Sequence, residues 1–160
     1  MFIDGGTTLE HFAMLLAGRI AAGEIVGVAL FTNSLTTLNA LRDVPNVTLM
    51  GGAYRAARQD FSGYLAEAGL RHIRFTKSFL GADAVELARG FTTTDYDTAQ
   101  MNNLVVQSSD KTYVLADSSK FSKSSLTPFA TPEQIHAVIT DGNLPEAARA
   151  EFTQQGFKFL

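Results

Sequence analysis

The sequence predicts an α/β domain built on a mostly parallel sheet with helices on both faces. Three observations carry that prediction. Short apolar segments alternate with amphipathic ones along the whole chain. The apolar segments run without a polar alternation, as in strands covered on both sides. Most of them end in a cluster of small or polar residues, as strands do when their carboxyl ends line one edge of an open sheet.

Taken in order, Met1 to Ile3 reads as the end of a strand, and Asp4-Gly5-Gly6-Thr7-Thr8 as a turn. Leu9, Phe12, Ala13 and Leu16 fall on one face of a helix that Gly18 or Gly23 can end. Ile25 to Thr32 is a second strand, after which Asn33-Ser34 caps a short helix through Leu41. Asn46 to Met50 is a third strand, closed by Gly51-Gly52, and Ser62 to His72 is helical. Phe75 to Leu80 is a fourth strand ending in Gly81-Ala82-Asp83, and Ala84 to Thr94 is loop-like. Asp95 caps a helix with Met101, Leu104 and Val105 facing inward. Thr112 to Ala116 is strand, followed by Asp117-Ser118-Ser119-Lys120 and a Ser-rich local loop to Ser125. Ala137 to Thr140 is strand, Pro145 starts a last helix that Gly156 stops, and Phe157 to Leu160 is a final strand. About seven strands result.

With 160 residues, 46% hydrophobic and 18% charged, the chain is a single globular domain without repeat or linker. No cysteine is present, which excludes a disulfide scaffold, a thiolate zinc site and a thiol nucleophile. Thirteen Lys and Arg against sixteen Asp and Glu give a net charge of -3, the wrong sign for a domain that grips nucleic acid itself. The longest clean apolar run, Ile25 to Phe31, is far short of the ~20 residues a membrane span needs. No signal sequence opens the chain, so a cytoplasmic protein is expected. His11, His72 and His136 lack metal-ligand spacing, there is no GxSxG elbow, and no cofactor is implied.

The strand-end clusters are the candidate site. Gly5-Gly6-Thr7-Thr8 follows a strand and opens a helix, where free N–H groups and Thr hydroxyls suit an anion; a capped helix start is the plain alternative. Thr32-Asn33-Ser34 reads as an N-cap or a pocket wall, and Gly51-Gly52 as a turn or a bare floor for a ligand. Asp83 and Asp117 could hold loops, and Lys120 could pair with Asp117 or bind a phosphate.

The ordered set Asp4-x-Gly6-Thr7-Thr8, Thr32-Asn33-Ser34, Gly51-Gly52, Gly63, Gly81-Ala82-Asp83, Gly90-x-Thr92 and Asp117-x-Ser119-Lys120-Phe121 resembles the C-terminal sensor domain of DeoR-type transcriptional regulators over nearly the whole chain. The resemblance implies a fold similar to ribose-5-phosphate isomerase and the coenzyme A transferases. It also implies a non-catalytic domain, in a repressor of sugar metabolism, that binds a phosphorylated sugar or related metabolite. Gly6, Thr7 and Thr8 would cradle the phosphate, Thr32, Asn33 and Ser34 would line the pocket, and Gly51 and Gly52 would form its floor. Asp83 and Lys120 would contact hydroxyls or phosphate, and Asp4, Thr92 and Asp97 complete the implied effector-binding set. Asn102 stands where family members commonly carry Lys. Operator DNA would be bound by an N-terminal winged helix-turn-helix that this chain lacks, in a homo-oligomer. The rival reading is an aldose–ketose sugar-phosphate isomerase on the same fold, although the Gly-rich lysine loop expected of one is missing after Asp83, where the chain reads Ala84-Val85-Glu86-Leu87. A nucleotide-binding module lacks both a phosphate loop and a suitably spaced ribose-binding acid.

Overall fold

The computed structural model describes all residues, Met1–Leu160. In chain order the elements are β1 (Phe2–Ile3), α1 (Thr7–Ala21), β2 (Leu30–Thr32), α2 (Leu35–Ala40), β3 (Val47–Leu49), β4 (Ala53–Arg55), β5 (Asp60–Ser62), α3 (Tyr64–Leu70), β6 (Ser78–Gly81), β7 (Ala84–Glu86), β8 (Gly90–Thr93), α4 (Tyr96–Gln107), β9 (Thr112–Leu115), β10 (Thr127–Ala130), β11 (Ala137–Ile139) and α5 (Glu146–Gln154). A 3-10 turn at Ser118–Ser122 follows β9.

Six strands form one sheet in the order β11-β9-β6-β1-β2-β3, and every neighbouring pair is parallel. From β1 the chain winds outward through β2 and β3, then returns to the other side of β1 and winds outward again through β6, β9 and β11. The order therefore reverses between β1 and β6, and the carboxyl ends of those two strands open a crevice there.

Side chains alternate across the sheet and divide the core in two. Ile3, Leu30 and Leu115 join Leu9, Ala13 and Leu16 of α1 and Leu41 after α2. Phe2, Leu80, Val114 and Val138 join Ala66 and Leu70 of α3, Met101 and Val105 of α4, and Phe152 of α5. Helices thus cover both faces. No helix is long and apolar enough to cross a membrane.

Several segments depart from the sequence reading. Of Ile25 to Thr32 only Leu30–Thr32 pairs, because its neighbours β1 and β3 are themselves two and three residues long; the chain bends at Glu24, Ile25 and Gly27, leaving Val26 79% exposed. Phe157 to Leu160 contributes a single bridge, Val138 to Phe159, rather than a strand. The stretch Ala84 to Thr94 is not a loop but the β7–β8 hairpin, which with β10 forms an antiparallel three-stranded sheet. A second hairpin, β4–β5, follows Gly51-Gly52.

Candidate functional site

The crevice at the strand switch is a polar cleft of about 130 Å³. Its walls come from the β1–α1 turn (Asp4 to Leu9), the end of β6 (Gly81 to Asp83), Thr93, Thr98 and Asn102 around α4, the end of β9 with Asp117 and Lys120, and Arg58 from the β4–β5 turn.

The β1–α1 turn sets one side. Gly6 is the N-cap of α1 at φ 105°, a conformation that suits glycine, and no side chain caps the helix. Orphan N–H groups of the first turn lie at the cleft with the positive end of the helix dipole behind them and the Thr7 and Thr8 hydroxyls beside them. The Thr37 hydroxyl donates to the Asp4 carbonyl at 2.9 Å and fixes the turn from beneath.

Asp4 is buried at the bottom. Its Oδ2 receives only long hydrogen bonds, 3.4 Å each, from the Gly81 N–H and the Asn102 amide. Burial pushes its carboxyl up to about 6; the Gly5 and Gly81 N–H groups, Asn102 and the Arg58 charge oppose this without cancelling it. Asp83 has the reverse balance. Burial would raise it, but its Oδ2 accepts the Thr94 N–H at 2.9 Å and the Thr93 and Thr94 hydroxyls at 2.8 and 3.0 Å, which with the Arg58 charge hold it below the ordinary carboxylate range. Asp117 caps the 3-10 turn by accepting the Ser119 N–H at 2.9 Å, and Lys120 stands on that turn. Ser119 chiefly, with some help from Lys120, keeps the Asp117 carboxyl low.

Of the residues singled out from sequence, the structure brings Asp4, Gly6, Thr7, Thr8, Asp83 and Lys120 to this one cleft. Thr32, Asn33, Ser34, Gly51, Gly52, Thr92 and Asp97 do not line it. Thr32, Asn33 and Ser34 are buried behind the β1–α1 turn. Thr32 Oγ1 accepts the Ser34 N–H, Ser34 Oγ caps α2 by accepting the Thr37 N–H, and Asn33 holds the β4–β5 hairpin, donating through Nδ2 to the Phe61 carbonyl at 3.0 Å. Gly52 is a packing position rather than a bare floor, since a Cβ there would meet the Ser62 carbonyl oxygen at 2.5 Å. Thr92 is buried in β8 and donates to Ala84 O and to Glu86. Asp97 is exposed on the first turn of α4.

Arg58, Thr93 and Thr98 were missed. Nothing local marks Arg58. It reaches the cleft because β4–β5 folds back over the end of β2, where Leu35 N donates to Gln59 O and Phe61 N to Asn33 O, both at 2.8 Å. Arg55 then fastens the hairpin to α4. Its guanidinium grips both Asp60 oxygens at 2.8 and 2.6 Å, donates to Thr98 Oγ1 at 2.9 Å and pairs with Asp95, the N-cap of α4.

The family profile described as the DeoR C terminal sensor domain matches residues 1–142. The chain belongs to that family. It is 33% identical, over 91% of its length, to the putative aga operon transcriptional repressor of Escherichia coli O157:H7, covering 52% of that protein. It is 35% identical over 98% of its length to the HTH-type transcriptional regulator GlpR of Haloferax volcanii, covering 59% of it. It is 31% identical over 96% to the lactose phosphotransferase system repressor of Lactococcus lactis subsp. lactis, again covering 59%. The DeoR-family sensor domain described here thus spans little more than half the length of the curated relatives it matches. Among solved structures, ribose 5-phosphate isomerase A of Methanocaldococcus jannaschii shares the fold with a TM-score of 0.52 at 18% identity, over 75% of this chain and 45% of that one. The Plasmodium falciparum isomerase does so with a TM-score of 0.53 at 16% identity, over 75% and 43%.

Proposed function

We propose that this chain is the ligand-sensing part of a DeoR-type transcriptional repressor of sugar metabolism, and that its cleft binds a phosphorylated sugar or related metabolite without transforming it. The observation that carries this reading is the uncapped start of α1, with Thr7 and Thr8, opening into the same cleft as Lys120 and Asp83. A helix N-terminus and a lysine favour a phosphate. Carboxylates suit the hydroxyls of a sugar, because an ionised carboxylate only accepts hydrogen bonds. The relatives' names point the same way, since they include a lactose phosphotransferase system repressor and an L-fucose operon activator.

Operator DNA would be bound by the remaining half of a longer protein, through a winged helix-turn-helix. The whole would work as a symmetric oligomer in the cytoplasm, as regulators that read palindromic sites generally do. The net charge of -3 agrees with a DNA-free role for this half.

The isomerase alternative needs a carboxylate free to take a proton. Asp83 is a poor candidate, because three donors already occupy one of its oxygens.

A thermal-shift screen against aldose and ketose phosphates tests the sensor reading. A ligand at about 100 times its dissociation constant stabilises the fold by roughly 2.7 kcal/mol. The reading fails if no phosphorylated compound raises the melting temperature.

A further inference from the structure

We infer that Arg58, on the β4–β5 turn, is the second anion-binding group of the cleft and determines its preference for phosphorylated over neutral sugars. The inference rests on the sensor reading above and adds to it a residue that the sequence pattern does not mark.

The first observation is that Arg58 has no hydrogen-bond acceptor of its own. Its nearest carboxylate is Asp60, whose Oδ2 lies 3.6 Å from Arg58 Nε, beyond hydrogen-bond range. Both Asp60 oxygens are already taken by Arg55 at 2.8 and 2.6 Å. Arg58 therefore meets the structural cluster beside it only through this longer ion pair. Its side chain is 38% exposed, and Arg58 is one of the residues that line the cleft.

The second observation is charge. Asp4, Asp83 and Asp117 line the cleft, and Lys120 is the cation among the residues the sequence pattern marks. One lysine against three carboxylates leaves the side chains of the cleft with an excess of negative charge. Arg58 lessens that excess, and both Asp4 and Asp83 feel its charge.

The third observation is placement. The hairpin is clamped at two ends, to Asn33 and Leu35 after β2 by backbone hydrogen bonds and to Asp95 and Thr98 of α4 through Arg55. These contacts fix the backbone of the turn that carries Arg58. The planar guanidinium fork matches two phosphate oxygens at once, which a lysine cannot do.

The test is calorimetric titration of the 160-residue chain with inorganic phosphate, with a panel of hexose and pentose phosphates, and with the same sugars lacking phosphate. Arg58→Gln should weaken every phosphorylated probe about 10- to 100-fold, as expected for loss of a charge-assisted hydrogen-bonded contact. It should leave the unphosphorylated sugars unchanged. Arg58→Lys should fall between, because it keeps the charge and loses the fork. Circular dichroism melts of both variants confirm the fold. If Arg58→Gln binds phosphorylated probes as tightly as the wild type while Lys120→Ala does not, or if it weakens phosphorylated and neutral sugars alike, the inference is wrong and the sensor reading stands. If no phosphorylated probe binds the wild-type chain, the sensor reading falls and this inference falls with it.

Discussion

Asn102, on the buried face of α4, donates its side-chain amide to Asp4 Oδ2 across 3.4 Å, tying residues that are far apart in sequence. A neutral partner at that distance does little to support a buried charge. The carboxyl consequently sits at about 6 rather than 3.8. Asp4 is held charged at neutral pH against its surroundings.

The burial of Asp4 has a signed consequence for stability. A carboxyl whose pKa is raised on folding favours the fold below the unfolded value and weakens it as pH rises through the folded value. The ligand-free domain should therefore lose stability between about pH 4 and pH 7, by at most roughly 3 kcal/mol from this group. Below about pH 4 the opposite trend takes over, because Asp83, Asp95 and Asp117 are all held low and lose their partners on protonation. Asp4→Asn should flatten the upper limb and stabilise the free domain at pH 7. Urea denaturation at pH 5 and pH 7.5 measures both, and an unchanged slope in the variant would assign the pH dependence elsewhere.

The Arg55 cluster predicts a contrast between two arginines. Arg55 is 17% exposed and its partner Asp60 10%, so Arg55→Met strands a buried carboxylate and should cost about 3 kcal/mol, near the low end for breaking a buried pair. Arg74 pairs with Asp110 at 2.8 Å, but the two are 66% and 50% exposed. Arg74→Met should cost under about 1 kcal/mol. Chemical denaturation of the two variants decides it, and hydrogen exchange should locate the Arg55→Met loss in β4, β5 and the first turn of α4.

These examples also show what could be read from the sequence. The parallel sheet was legible because its strands are apolar on both faces, as Phe2-Ile3 and Val138-Ile139 are, and because polar residues follow them. The hairpins were not, because their strands carry polar residues whose burial depends on polar partners outside their own strand. Asp60 is buried on account of Arg55, and Thr93 is buried while donating to Asp83. Thr32-Asn33-Ser34 reads as an N-cap or a pocket wall, and the structure shows the cap, on Ser34. A polar strand end looks solvent-facing until the β4–β5 hairpin, absent from the pattern, folds over it.

The assignment of Gly52 as a packing position can be tested. The Ser62 carbonyl lies 2.5 Å and the Ala66 Cβ 3.0 Å from where its Cβ would be, so Gly52→Ala forces β5 and α3 outward. Overpacking of this kind costs about 1–3 kcal/mol. Gly51 has nothing within 4 Å of the same position, and Gly51→Ala should be nearly neutral. Equal melting temperatures for the two variants would return Gly52 to the role of an open floor.

Whether the cleft merely senses or also transforms its ligand depends on its two best-placed carboxylates. Asp83 is a weak base, since its shared oxygen is held by Thr93 and Thr94 and its carboxyl lies below the ordinary range. Asp4, at about 6, is poised to take a proton, but it is buried beneath the turn. Aldose–ketose isomerisation also needs a group that steadies the enediolate and a second proton transfer on the neighbouring carbon. The β7–β8 hairpin that follows Asp83 supplies Ala84, Val85 and Glu86, and Glu86 is occupied by Ser124, Ser125, Thr92 and Arg89. Sugar phosphates incubated with the domain in heavy water should therefore show no deuterium at the carbon beside the carbonyl by proton NMR. Exchange proportional to protein concentration and abolished by Asp4→Asn or Asp83→Asn would make the domain an isomerase, with the abolishing variant naming its base.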